Sequence, residues 1–167
     1  MKGTITSETM NMQLKTNSSD ETEQLGAYIG SKLIGGEIIE LVSDLGGGKT
    51  TLVRGISTGA KSKDAVSSPS FTISNVYETE TFSIYHYDFY RLDDPGIMAY
   101  QLSENLNDIK KVVIIEWGAI IKNILLKPHI ILTINQTGED TRSIIIQYPE
   151  ESAYIFNDIE LNNKALN

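Results

Sequence analysis

The sequence predicts a mixed α/β fold in three layers, with helices on both faces of a sheet that has a parallel centre and antiparallel hairpins. Three observations predict it. Residues 37–51, EIIELVSDLGGGKTT, pass from an apolar strand through three glycines into an amphipathic stretch. Residues 111–116, KVVIIE, are a nearly continuous apolar run, as in strands buried on both faces. Two later pairs of β-rich segments, 72–78 with 82–90 and 129–135 with 142–148, are each split by a short polar turn. Strand and helix alternate early and hairpins follow, so a mixed sheet is favoured over a purely parallel one.

Each element has a local reason. NMQLKT (11–16) reads as a short first strand. Ser18 and Asp20 each stand three residues before a glutamate, Glu21 and Glu23, the spacing of a capping box at a helix start. Leu25, Ile29 and Leu33 then recur every fourth residue as one buried helix face, and Gly35-Gly36 ends the helix. An apolar strand over 37–43 leads into the glycines, and Leu52, Val53 and Ile56 mark the inner face of the next helix. The polar stretch KSKDAVSSPSFT after Ala60 reads as a loop. Pro95 opens a helix running to about Asn107.

Length and composition narrow the function classes. A chain of 167 residues with 40% hydrophobic content supports one domain, placed at 1–150, with 151–167 a tail of no assigned structure. The absence of cysteine leaves no disulfide framework or thiolate metal site. The opening MKGTITSETMNM has no signal-like apolar run, and no stretch approaches the roughly 18 apolar residues of a membrane helix. A soluble cytoplasmic protein is the expectation. A formal charge of −8 argues against gripping nucleic acid by bulk electrostatics.

The glycine run carries the chemistry. Asp44, Leu45, Gly46, Gly47, Gly48, Lys49, Thr50 and Thr51 have the layout of a phosphate-binding loop, G-x-x-x-x-G-K-[ST], with Ser43 in the first glycine position. The glycines are expected to take positive φ and bring backbone N–H groups close to phosphates. The N-terminus of the following helix completes an anion site. Lys49 is placed to reach the β- and γ-phosphates, and the Thr50 hydroxyl to ligate Mg²⁺. The alternative is a plain glycine-rich turn between strand and helix.

In open α/β sheets ligands gather at the carboxyl ends of strands. Glu116 ends KVVIIE in a Walker-B-like position, able to hold Mg²⁺ directly or through water; a surface glutamate is the alternative. In YHYDFYRL, alternation puts His86, Asp88 and Tyr90 on one face and Tyr85, Tyr87 and Phe89 on the other. Asp88 could position a water or a metal-bound water, or cap a turn. His86 reads as structural. Trp117 reads equally as a wall of the site or as core. The hydroxyls of Ser67, Ser68, Ser70 and Thr72 could sense a γ-phosphate or merely solvate a loop.

In their order and spacing, SDLGGGKTTLVRG, SSPSFT, YHYDFYRLDDP and IIEW resemble the TsaE family, the small bacterial P-loop ATPases of tRNA threonylcarbamoyladenosine biosynthesis. The resemblance spans roughly residues 12–148. It implies a P-loop NTPase-like fold, binding of ATP and Mg²⁺, and slow hydrolysis coupled to the partner proteins TsaB and TsaD. Those partners transfer the threonylcarbamoyl group to adenosine 37 of tRNAs that read ANN codons. Carried onto this chain, Lys49 matches the phosphate-binding lysine, Thr50 the Mg²⁺-ligating threonine and Glu116 the Walker-B acid. Asp88 matches the aspartate of H-x-D-x-Y-R-L, and Ser70 stands where the family usually has threonine. The segment near Ser19 and Thr22 would approach the nucleotide base. Two departures are Ser43 for the usual glycine and Gly47 for the usual alanine, the latter expected to loosen the loop.

Two other readings compete. A small-molecule kinase with this loop would clamp the transferred phosphoryl group with several arginines, and the chain holds only Arg54, Arg91 and Arg142. A nucleotide-gated protein-binding module would bind ATP or ADP without turnover. A GTP switch is disfavoured, since the nearest string to N-K-x-D, residues 163–166, lacks the aspartate.

Overall fold

The computed structural model describes residues 8–165. Seven strands form one sheet: β1 (Thr9–Thr16), β2 (Ile38–Val42), β3 (Ser74–Glu78), β4 (Ser83–Asp88), β5 (Lys111–Glu116), β6 (Ile130–Gln136) and β7 (Arg142–Pro149). Their order across the sheet is β1-β7-β6-β2-β5-β4-β3. The pairs β6–β2, β2–β5 and β5–β4 are parallel. The hairpins β3–β4 and β6–β7, with β1 on β7, are antiparallel. The mixed sheet and both hairpins are as the sequence predicts.

Helices α1 (Ser19–Lys32), α2 (Lys49–Gly59), α3 (Gly96–Leu106) and α4 (Ala153–Ala165) cover it. Alternation along the central strands sorts two cores. Ile39 and Leu41 of β2 and Val112 and Ile114 of β5 face α1, α2 and α4. Ile38, Val113 and Ile115 face Leu102 and Leu106 of α3. Strands buried on both faces explain the unbroken apolar run 111–116.

Ser18 caps α1, its side chain accepting from Glu21 N at 3.1 Å. Glu21 Oε2 in turn accepts from Asn17 N at 2.7 Å, so the box closes one residue before the cap. The second capping pair of the sequence reading does not form a start: Asp20 and Glu23 lie inside α1. Residues 151–165, without assignment in the sequence, hold α4 after a 3₁₀ turn over Glu150–Ser152. Ile155 and Phe156 are fully buried, the Phe156 ring 4.5 Å from that of Tyr148.

Helices α1 and α2 run side by side in the same direction, in backbone contact. Gly26 and Gly30 on α1, and Gly55 and Gly59 on α2, repeat at a four-residue spacing and so share one face. A Cβ on Gly30 would stand 2.0 Å from the Ile56 carbonyl oxygen, and one on Gly55 2.0 Å from that of Glu23. Those on Gly26 and Gly59 would meet Leu52 O at 2.3 Å and Ala27 O at 1.9 Å. Backbone stands in every position a side chain would need, so only glycine fits. Replacing Gly30 by alanine should force the helices apart, costing about 1–3 kcal/mol despite alanine's better helix propensity. Thermal unfolding should show a Tm lower by about 4–10 °C.

At the opposite end of the sheet from the glycine loop, His129 Nε2 lies 3.0 Å from Glu40 Oε2. Burial lowers the His129 pKa, but the Glu40 hydrogen bond, the Lys127 carbonyl and the Glu40 charge outweigh it and raise the value above the ordinary 6.5. A raised folded pKa gives stabilisation that is complete below 6.5 and lost as pH climbs through the folded value. His129→Gln should therefore lower Tm more at pH ~5.5 than at pH ~8.5, and an equal loss at both would remove the ion pair from the account.

Candidate nucleotide-binding site

The strands β2, β4 and β5 are parallel neighbours, so their carboxyl ends meet at one edge. The loop after β2 turns there into α2, whose first residue is Lys49. Gly46 and Gly48 take φ of +74° and +106°, as expected of a loop that turns its amides inward. Gly47 does not: it is absent from the positive-φ residues, and its small size has another cause. A Cβ on Gly47 would lie 1.7 Å from Ser43 Oγ and 3.0 Å from Ser43 Cβ. Ser43 itself takes no positive φ, so serine is tolerated where glycine was expected. The two departures from the family pattern are thus one feature. The Ser43 side chain occupies the space of the missing methyl, and the expected loosening of the loop is offset by that contact.

A cleft of about 260 Å³ opens over the loop, lined by Leu45, Gly46, Gly47, Gly48, Lys49, Thr50 and Thr51. Ser68, Ser70, Asp88, Glu116 and Trp117 form its other walls. Lys49 is buried, and its Nζ donates to the carbonyls of Ser43 at 3.2 Å and Asp44 at 3.0 Å. Asp44 contributes that carbonyl from an exposed position. Both acceptors are neutral, so an incoming phosphate oxygen would offer the ammonium a stronger, charge-assisted partner.

The two acids are register partners on β4 and β5 and point to the face that carries α2. Glu116 is buried, its Oε1 2.7 Å from His86 Nε2. His86 Nδ1 in turn lies 3.3 Å from the Tyr77 hydroxyl, which donates to the Ser67 carbonyl at 3.0 Å. His86 is structural, as expected, but the structure it serves is the orientation of Glu116. Asp88 is held twice: Oδ1 accepts from Tyr90 N at 2.9 Å and Oδ2 from Ser70 Oγ at 2.7 Å. It caps a turn and faces the cleft at once.

Of the four loop hydroxyls, Ser68 and Ser70 line the cleft and hydrogen-bond each other at 2.8 Å. Those of Ser67 and Thr72 engage Asn75 instead. Trp117 takes φ of +58° directly after Glu116, and its ring lies 5.0 Å from Lys49 Nζ and 4.9 Å from the Tyr90 ring. It walls the cleft and packs against the second core, so both expectations for it hold. Ser19 and Thr22 do not line the cleft. Ser19 is exposed on the first turn of α1, and the buried Thr22 hydroxyl is engaged by Thr16 Oγ1 at 2.8 Å. Arg142, far away in sequence and part of no motif, reaches the loop: its Nε donates to Gly47 O at 2.9 Å.

Among the described residues no three His, Asp or Glu side chains converge as a ready metal cage. The Thr50 hydroxyl and the Glu116 carboxylate, both lining the cleft, are hard oxygen donors of the kind Mg²⁺ takes.

A parallel-centred sheet whose glycine loop opens a helix beside a strand-terminal acid defines a protein of the P-loop NTPase-like class. Residues 16–144 match the family described as threonylcarbamoyl adenosine biosynthesis protein TsaE. The tRNA threonylcarbamoyladenosine biosynthesis protein TsaE of Rickettsia felis is 35% identical over 144 residues, 84% of this chain and 83% of that protein. That of Bacillus subtilis is 28% identical over 137 residues, covering 80% and 83%. The chain belongs to the TsaE family. A crystal structure of YdiB from Bacillus subtilis shares the fold, with a TM-score of 0.75 at 23% identity over 93% of this chain and 98% of that one.

The Ser43–Gly47 contact yields a reciprocal test. Gly47→Ala should weaken nucleotide binding about tenfold or more, because the loop must shift to admit the methyl. Ser43→Gly in the same chain should restore it, as read by calorimetric titration of each variant.

Proposed function

We propose that this chain is the ATPase of tRNA N6-threonylcarbamoyladenosine formation. It would bind and hydrolyse Mg-ATP in association with a TsaB–TsaD complex, in the cytoplasm, without transferring the threonylcarbamoyl group itself. The observation that carries this reading is the meeting of Lys49, Asp88 and Glu116 over one glycine loop in a single cleft. Membership of the family supports the pathway.

Each side chain has a chemical task. The loop amides and the N-terminus of α2 would bind the polyphosphate. Lys49 would leave its two carbonyls for β- and γ-phosphate oxygens, stabilising charge as it moves outward. Thr50 and Glu116 would hold Mg²⁺, which when bound neutralises phosphate charge. His86 keeps the Glu116 carboxylate aimed. Asp88, fixed by Ser70 and Tyr90, would orient the attacking water. As the new P–O bond to water forms, the bond to the β-phosphate oxygen breaks, and ADP and phosphate leave.

The other arginines sit poorly for a kinase. Arg54 pairs with Glu23 at 3.6 Å, and Arg91 lies over the Phe71 ring at 4.4 Å. Neither lines the cleft. A protein partner is supported by apolar surface at its mouth: Leu45 is 64% exposed and Phe71, next to Ser70, 84%. The net charge of −8 suits a chain that meets proteins rather than gripping tRNA.

Phosphate release from Mg-ATP, measured with and without purified TsaB–TsaD complex, tests the reading. Turnover should rise with the complex. Lys49→Ala should cut it by about two to three orders of magnitude, and Glu116→Ala should remove its Mg²⁺ dependence. Turnover indifferent to the complex would break the link to tRNA modification. ATP bound without turnover under both conditions would leave a nucleotide-gated binding module.

A further inference from the structure

The glycine loop is held from β7, two strands away from β2 in the sheet. Arg142 opens β7, beyond the hairpin turn after β6, and its guanidinium is fixed by four backbone carbonyls. Nε donates to Gly47 O at 2.9 Å. Nη1 donates to Thr141 O at 3.0 Å, Glu139 O at 3.2 Å and Gly138 O at 3.4 Å. Among the described residues no carboxylate lies within ion-pair distance of it. A half-buried cation thus rests on neutral acceptors, although acids outnumber bases 22 to 14 in this chain.

We infer that Arg142 is a positioning residue of the phosphate loop, setting the 47–48 peptide for an anionic ligand and adding positive charge beside it. The inference rests on the reading of residues 43–51 as a nucleoside triphosphate site. In a trans peptide the C=O and the following N–H point in opposite directions. Anchoring Gly47 O on Arg142 therefore turns the Gly48 N–H the other way, and Gly48 lines the cleft. Gly48 is also close enough to feel the charge: a Cβ built on it would lie 3.6 Å from Arg142 Nε. With φ of +106° at Gly48, the peptide is free to flip unless something holds it. No hydrogen bond from Nη2 joins those of Nε and Nη1 among the described residues. The fork geometry matters, since one guanidinium bridges the loop and the hairpin turn while an ammonium must choose.

The test is calorimetric titration of the full chain with Mg-ATP and with inorganic tripolyphosphate, for wild type, Arg142→Gln and Arg142→Lys. Amide spectra of the free proteins follow Gly48. Arg142→Gln should weaken both ligands about tenfold, keep Tm within about 3 °C, and shift the Gly48 amide resonance. A purely structural tether would lower Tm without moving that amide alone. Should Arg142→Gln fail to fold, Arg142→Lys decides, with a loss of about fivefold expected for both ligands. Wild-type affinity within twofold in a folded variant, or an unmoved Gly48 amide, overturns the inference and leaves the nucleotide site standing. Wild type that binds neither ligand overturns the nucleotide site itself.

Discussion

The contact on which the fold turns is backbone against backbone, where α1 lies on α2 at four glycines. No side chain separates the helices, so their spacing is set by carbonyl oxygens and Cα atoms, which do not adjust as side chains do. Helix α2 begins at Lys49, and its N-terminal turn carries the loop. The lateral position of that turn is therefore tied to how closely α1 packs beside it. Leu52, Val53 and Ile56, all fully buried, hold the other side against β2 and β5. A helix clamped on two sides gives the loop a rigid base.

Around that base the charged side chains are restrained rather than free. Asp88 is tied by Ser70 and the Tyr90 amide, Glu116 by His86, and Lys49 by two carbonyls. The restraints differ in kind. Those on the acids set direction and leave oxygen lone pairs for a cation or water. Those on Lys49 are weak, neutral and exchangeable. The chain Ser67–Tyr77–His86–Glu116 also joins the serine loop to the acid through buried groups. Rigidity is thus placed around the two acids of the cleft, and exchange is confined to Lys49.

Much of this was legible in the chain. Local signals marked the elements whose cause is local: the Ser18 cap, the Pro95 helix start, the apolar run of β5 and the two hairpins. The candidate acids on strand ends, Asp88 and Glu116, followed from topology once the strands were assigned, and both line the cleft. What sequence missed depends on distance between segments. The glycines at 26, 30, 55 and 59 read locally as weak helix positions, and only the crossing of two helices explains them. Arg142 is the first residue of β7 and belongs to no motif, and its reach to Gly47 exists only because β7 folds back beside β6. The apolar triplet Tyr154-Ile155-Phe156 was a signal for α4, hidden among polar neighbours. Ser43 and Gly47 each looked like a defect because a lone sequence does not show that one fills the other's space.

Trp117 is the sole tryptophan of the 167 residues. Its indole faces the cleft 5.0 Å from the Lys49 ammonium, touching the stretch where polarity would change most as a ligand enters. Indole emission responds to nearby charge and to exclusion of water, and here no second tryptophan dilutes the signal. A ligand entering the cleft would therefore be reported by the chain's own indole, without an added label.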